Sequence, residues 1–212
     1  MTAASFDLQL LRHAGSAAPK THAVGQWNVP LSAQGVDDVT QRVQAWSDPA
    51  PTRILSSDLA RARATARAVA LRFGLPLAED PGWREVGLGQ WERRRWVDLE
   101  RDDGARVARW YADWRTVAPP GGEAWPDVIE RVRQAFDRLA AVVSPGEQVL
   151  VVAHVGAIRA FLVGVASCPE EVAMEWPLPL LGGVKARVTL ARDPAGRWPI
   201  ELAPHPTPSG SP

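Results

Sequence analysis

The sequence predicts an α/β fold: a three-layer sandwich with a mostly parallel central sheet flanked by helices, plus a helical cap insertion. Two observations predict it. Apolar strand segments alternate with amphipathic helical segments from the N-terminus onward, the rhythm of a parallel sheet covered by helices on its faces. Two of the strand segments, "LQLLRH" and "VLVVAH", are nearly continuous apolar runs, as strands buried on both sides must be, and both stop at a histidine.

The elements follow in order. Phe6 to Leu11 is the first strand, and Thr21 to Pro30 is a loop leading into "PLSAQG". Ser32 is placed to cap a helix whose Val36, Val39, Val43 and Trp46 recur at helical spacing. "RILSSD" is the second strand. Ser57 or Asp58 is then expected to cap an alanine- and arginine-rich helix from about Leu59 to Phe73, ended by Gly74 and Pro76. The stretch 80–124 interrupts the alternation. With Trp125 at its edge it gathers six of the ten tryptophans, together with many arginines, and is predicted to form a mostly helical cap over the sheet's edge. An amphipathic helix spans Trp125 to Val143, with Val128, Val132, Phe136 and Leu139 on one stripe. "PGEQ" turns the chain into "VLVVAH", and a helix from Gly156 to Ala166 follows directly. "VKARVTLARDPAGRWPIEL" reads as two alternating strands about a Pro/Gly turn. At 212 residues the chain is sized for a single domain, expected over 1–204, with a disordered tail over 205–212.

Composition excludes several function classes. Lys+Arg and Asp+Glu number 24 each, so no net charge draws the chain to nucleic acid or an anionic membrane, and any anion binding must come from clustered arginines. Cys168 is the only cysteine, which rules out an intramolecular disulfide. The N-terminus lacks a basic segment followed by an apolar core, and no apolar run approaches the roughly 20 residues of a spanning helix. A soluble, cytoplasmic protein is expected.

Both apolar strands deliver a histidine to their carboxyl ends, immediately before glycine-containing loops. In open parallel sheets that edge is where ligands bind. If the two strands are neighbours, His13 and His154 face one crevice. A lone strand-end histidine is more often a loop residue making a hydrogen bond, but two of the chain's four histidines share this context. "SSDLARARATA" places Arg61 near the first turn of a helix that begins just past a strand, and Arg12 stands beside His13. Guanidinium forks match phosphate oxygens, and helix N-termini add oriented N–H donors. Arg67 and Arg72 read as a solvated helix face, while Arg63 fits either reading. In "WREVGLGQWE", Glu85 lies between Trp83 and Trp91 in a glycine-rich loop. Near aromatic rings and a bound phosphate its pKa should rise, which would suit a general acid; taken alone, such a residue is more often an ordinary loop acid. Other phosphatase chemistries lack their residues: Met174 stands where a loop built on Cys168 would need arginine, and there is no P-loop, no G-x-S-x-G elbow, no paired-aspartate motif and no metal-ligand cluster.

These stretches resemble the histidine phosphatase superfamily, the phosphoglycerate-mutase-like fold, over nearly the whole chain. The family's Arg-His-Gly is similar to Arg12-His13-Ala14, and its "G..D.PL(T/S)..G" to Gly25 through Gly35. Its "SS.L.RA..TA" matches Ser56 to Ala66, its acid followed by "G.WE" matches Glu85 and Gly89 to Glu92, and its second histidine matches His154 before Val155-Gly156. The resemblance implies metal-independent phosphomonoester hydrolysis through a phosphohistidine. It implies His13 as nucleophile, Glu85 as general acid and His154 as a further catalytic residue, with Arg12, Arg61, His154 and Val155 binding the phosphate. It implies no cofactor and no metal, a small phosphorylated substrate, and neither nucleic acid nor membrane as partner; the oligomeric state is left open.

Within the superfamily the chain is most similar to the alpha-ribazole phosphatase branch, through "ARWYADWRTVAPPGGEAWPDVIERV" and "SCPEEVAMEW". This implies alpha-ribazole 5'-phosphate as substrate and a place in cobalamin biosynthesis. The alternative is a phosphoglycerate mutase or broad sugar-phosphate phosphatase, for which Lys20 and Arg93 to Arg95 supply extra basic side chains. An alternative of another class is a phospho-ligand-binding pseudoenzyme. It is suggested by Ala14 in place of the usual glycine and by Val155 in place of a small or polar residue; Gly15, too, stands where many members have Glu or Gln.

Overall fold

The computed structural model describes residues 3–204; the predicted disordered tail, 205–212, lies outside the described residues. Phe6, Leu8 and Leu10 recur at the two-residue period of a strand, and each is at most 2 % exposed, so β1 (Ser5–Arg12) buries that face completely. β4 (Gln148–Ala153) is buried without a break from Val149 and pairs parallel with β1, Leu11 opposite Val152 and Arg12 opposite Ala153. β2 (Arg53–Ser56) pairs parallel with the other side of β4, and β3 (Leu77–Glu79), an edge strand with no sequence signal, lies beyond it. On the far side of β1, β5 (Gly183–Thr189) and β6 (Ile200–Leu202) form the expected antiparallel arm. The order among the described residues is β3-β2-β4-β1-β5-β6.

Helices cover both faces, as a sheet of this composition requires. α1 (Ala33–Gln44) and α2 (Ala60–Phe73) place Val43, Ala62, Ala66 and Val69 against Leu11, Ile54, Leu150 and Val152. α4 (Trp125–Ala140) and α5 (Val155–Gly164) pack Val132, Phe136, Ile158 and Phe161 against Leu8, Leu10, Val149 and Val151. Neighbouring residues of β4 thus face opposite apolar layers, which is why its sequence reads as continuous rather than alternating.

One expectation needs correction. Ser32 caps α1 as expected, its Oγ accepting from the Gly35 N–H at 3.0 Å, but the N-cap of α2 is Leu59, not Ser57 or Asp58. The orphan N–H of Ala60 is instead taken by Asn28 Oδ1 at 2.7 Å, from the distant 21–30 loop, while Asp58 is drawn aside to Arg84. The cap is helical as expected, its helices separated by loops. Within 80–124, helix is confined to α3 (Trp96–Ala112), which kinks at Asp103, and to the single turns Pro81–Trp83 and Gly89–Trp91. Left-handed Gly121, together with Pro119 and Pro120, keeps the segment between α3 and α4 as loop. The cap's own core joins Leu88, Trp91, Leu99 and Val107 to Ala23. A short α6 (Glu170–Glu175) follows α5.

The loop after β1 lies directly on the start of α1: a Cβ on Gly35 would stand 2.0 Å from the Gly15 carbonyl oxygen. Gly35→Ala should therefore cost about 1–3 kcal/mol of stability, a fall of roughly 3–10 °C in Tm for a chain of this size. Gly104→Ala in α3 meets nothing within 4 Å and should not lower Tm; scanning calorimetry of the two variants checks both.

Candidate active site

Because β1 and β4 are neighbours in register, the residues that follow them meet. The His13 and His154 rings lie 4.9 Å apart between centroids, edge to face, and the His13 N–H donates to the Ala153 carbonyl at 3.0 Å, carrying the ladder one residue past β1. His13 Nδ1 is 2.6 Å from the Ala14 carbonyl oxygen, which can only accept, so Nδ1 carries the proton. Its Nε2 therefore presents a lone pair, and Arg61 Nε donates to it at 3.2 Å. Burial, reinforced by the guanidiniums of Arg61 and Arg12, lowers the His13 pKa to about 3 against the opposing pull of the Ala14 carbonyl. At neutral pH the ring is uncharged.

Arg61 is the second residue of α2 and only 2 % exposed. Its remaining nitrogens donate to the Trp27 carbonyl at 2.9 Å and the Gly25 carbonyl at 2.8 Å, so it is held without a contact carboxylate. Gly25 adopts φ +49, and a Cβ there would stand 2.6 Å from Glu92 Oε1; only glycine can present that carbonyl. Arg12 donates through Nη1 to the Leu178 carbonyl at 2.6 Å and keeps a buried Nε with no partner among the described residues. His154, the N-cap of α5, is fully buried, and neither of its ring nitrogens has a partner among the described residues. Burial holds its pKa well below the ordinary value, with Arg61, His13, Arg131 and Arg12 adding to the effect. Buried orphan groups of this kind are costly, and an anion with several oxygens would accept from the Arg12 Nε–H and from the one N–H that a neutral His154 carries.

Glu85 Oε1 accepts from the N–H groups of Val86 and Gly156, both at 2.9 Å. A Cβ on Gly156 would lie 2.2 Å from that oxygen, so the start of α5 approaches the carboxyl more closely than any other residue allows. Burial raises the Glu85 pKa, opposed by the Val86 N–H, Arg61, the Gly156 N–H and Arg12.

Arg12, His13, Arg61, Glu85 and Val155 line one pocket of about 520 Å³, with His154 buried against His13. The cap adds Trp110 and Trp114 to its wall. Arg63 instead faces outward, 3.6 Å from Glu79. Lys20 and Arg93 to Arg95 are outside the pocket lining; Arg94 and Arg95 pair with Asp102 and Asp98. Ala14 is not among the residues with positive φ, so its replacement of glycine carries no backbone strain. Sequence reasoning missed Arg159, a third guanidinium of the pocket. It donates to the Met174 carbonyl at 2.7 Å and has an unpartnered buried Nε. The signal was there: it is the one charged residue within an otherwise apolar helix. Gln26 and Arg131, which reach the backbone around Glu85, were also missed.

A family model described as the histidine phosphatase superfamily (branch 1) matches residues 8–192. An adenosylcobalamin/alpha-ribazole phosphatase of Salmonella typhimurium is 30% identical over 145 residues, covering 68% of this chain and 71% of that protein. A glucosyl-3-phosphoglycerate phosphatase of Mycolicibacterium vanbaalenii is 34% identical over 169 residues, covering 76% of this chain and 71% of that protein. The crystal structure of the alpha-ribazole phosphatase from Shigella flexneri superposes with a TM-score of 0.78 at 24% identity, covering 92% of this chain and 95% of that one, a likeness of fold.

The electrostatic description of His13 has a direct check. Its ring resonances should show no protonation until the pH approaches about 3. Arg61→Ala both removes a nearby cation and admits water, so it should move the midpoint upward, toward the ordinary histidine value. Heteronuclear NMR of the labelled imidazole measures both, and an unmoved midpoint would contradict the assignment.

Proposed function

The chain belongs to branch 1 of the histidine phosphatase superfamily, and on that premise we propose that it is a metal-independent phosphomonoesterase working through a phosphohistidine on His13. The observation that carries this reading is the His13 Nε2 lone pair, unprotonated at neutral pH and held beside a buried guanidinium. In the first step Nε2 attacks phosphorus, the P–O ester bond breaks, and the leaving alkoxide takes the proton of Glu85. In the second, a water gives its proton to the Glu85 carboxylate and its oxygen bonds to phosphorus. The P–N bond breaks, its electron pair returns to His13, and inorganic phosphate leaves. Arg12, Arg61, His154 and the Val155 N–H at the start of α5 stabilise the equatorial oxygens, where charge accumulates. The raised pKa of Glu85 favours the protonated form that the first step requires.

The substrate that we propose is alpha-ribazole 5'-phosphate. The name of the Salmonella relative supports it, as do the indoles of Trp110 and Trp114 in the pocket wall, aromatic surface against which a base can pack. A second reading, a phosphorylated sugar acid, is favoured by Arg159, a guanidinium beyond the two assigned to the phosphate, and by the name of the Mycolicibacterium relative. The mutase reading has less support, because Lys20 and Arg93 to Arg95 do not line the pocket.

Phosphate release in EDTA should proceed on p-nitrophenyl phosphate and fall by about 10⁴-fold or more in His13→Ala. Alpha-ribazole 5'-phosphate should give a higher kcat/KM than 3-phosphoglycerate or glycerol 3-phosphate. Preference for 3-phosphoglycerate over the other two would transfer the substrate to the sugar-acid class, and activity only with added divalent ions would refute the metal-free mechanism.

A further inference from the structure

The segment that carries Glu85 runs between the single turns Pro81–Trp83 and Gly89–Trp91, with no helix or strand of its own to fix it. A proton donor on irregular backbone needs an external frame. We infer that Gln26, Glu123 and Arg131 form that frame, as positioning residues for Glu85; the inference rests on the reading of Glu85 as proton donor.

Arg131, on α4, uses all five of its N–H donors here. Nη1 donates to the Gly82 carbonyl at 2.9 Å and the Arg84 carbonyl at 3.0 Å. Nη2 donates to the Glu85 carbonyl at 3.3 Å and to Glu123 Oε2 at 2.9 Å, and Nε to Glu123 Oε1 at 2.7 Å. Glu123 then holds the other side of the acid: its Oε2 accepts from the Gly87 N–H at 2.7 Å, and its own N–H donates to the Gly87 carbonyl at 2.9 Å. This double contact depends on close approach, since a Cβ on the neighbouring Gly122 would stand 2.5 Å from the Gly87 carbonyl oxygen. The backbone is thus gripped on both sides of Glu85.

Gln26 ties this grip to the phosphate-binding side. Its Nε2 donates to the Glu85 carbonyl at 3.1 Å and to Glu123 Oε2 at 3.0 Å. It sits in sequence between Gly25 and Trp27, the two residues whose carbonyls Arg61 holds. The position of the acid is therefore set relative to the guanidinium beside the nucleophile. Only a planar fork can meet three carbonyls and both carboxylate oxygens together, so lysine is not an equivalent at 131.

The test is the rate of His13 phosphorylation in single turnovers, with glycerol 3-phosphate, whose alkoxide needs a proton, and p-nitrophenyl phosphate, whose phenolate does not. The near-isosteric Glu123→Gln, and separately Arg131→Lys, should slow the first by about 10–100-fold and the second by less than about 3-fold. In a Glu85→Gln background neither should add a further loss. Equal losses on both substrates, or additivity with Glu85→Gln, would overturn the inference. A readout independent of turnover accompanies it: in carbon-13 NMR of labelled carboxyls, the raised titration midpoint of Glu85 should fall toward the ordinary range in Glu123→Gln. An unchanged midpoint also overturns the positioning role. A wild type that never forms phosphohistidine would instead defeat the proposed mechanism, and the carboxyl titration would still decide whether Glu123 positions Glu85.

Discussion

The hydrogen bond from Arg61 Nε to His13 Nε2 is the constraint on which the rest of this site depends. A guanidinium can only donate, so Nε2 must carry a lone pair and Nδ1 the proton, which the Ala14 carbonyl accepts. One contact therefore selects the tautomer and the direction in which the lone pair points. Burying that guanidinium without a contact carboxylate is unfavourable by several kcal/mol if nothing else compensates. Carbonyls from Gly25 and Trp27 supply the compensation, each such bond contributing about 1.5–3 kcal/mol. The same loop sends Asn28 to cap α2, so it is fastened twice to the helix that bears Arg61.

Sheet topology puts these groups in one place. β1 and β4 are separated by well over a hundred residues, yet their register sets Arg12 opposite Ala153, so that a single step past each strand yields the histidine pair. β4 passes into α5 with only His154 between them. The first turn of α5 is consequently aimed at the crevice, with the Gly156 N–H spent on Glu85 and the Val155 N–H beside it at a helix N-terminus. The proposed acid, nucleophile and anion-binding donors come from four regions of the chain, around residues 12–13, 61, 85 and 154–156, and backbone groups as well as side chains tie them together.

What the sequence disclosed follows the same physics. Where a period extends over several turns or a whole buried strand, as in α4 and β4, pattern alone located the element. β3 and α6, with three and six residues, are too short to show a period. The helical cap was legible as a break in the alternation, but richness in tryptophan and arginine does not bound a helix; "GLGQ" and "APPGGE" mark where its loops fall. Every candidate residue at a strand end or helix start was legible because local order fixes where it points. The Asn28 cap and the Arg131 grip were not, since each depends on a partner more than thirty residues away.

Electrostatics then favours the proposed chemistry. Among the described residues, Arg12, Arg61 and Arg159 line the pocket with two carboxyls, of which Glu123 is paired with Arg131 and Glu85 is not, and burial of Glu85 favours its neutral form. A phosphate dianion entering this field raises the pKa of both titratable groups in the proposed mechanism, because negative charge stabilises a protonated imidazole and destabilises a carboxylate. For Glu85 the change keeps the proton that the leaving group requires. For His13 the same change is adverse, since a protonated nucleophile cannot attack. A residual unit charge about 4 Å away is worth roughly 4 kcal/mol at an effective dielectric of 20, or about 3 pKa units. From the ordinary histidine value that shift would silence the ring at neutral pH; from about 3 it does not. Deep burial of His13 beside two arginines therefore allows one bound dianion to hold the proton on the acid while leaving the imidazole unprotonated.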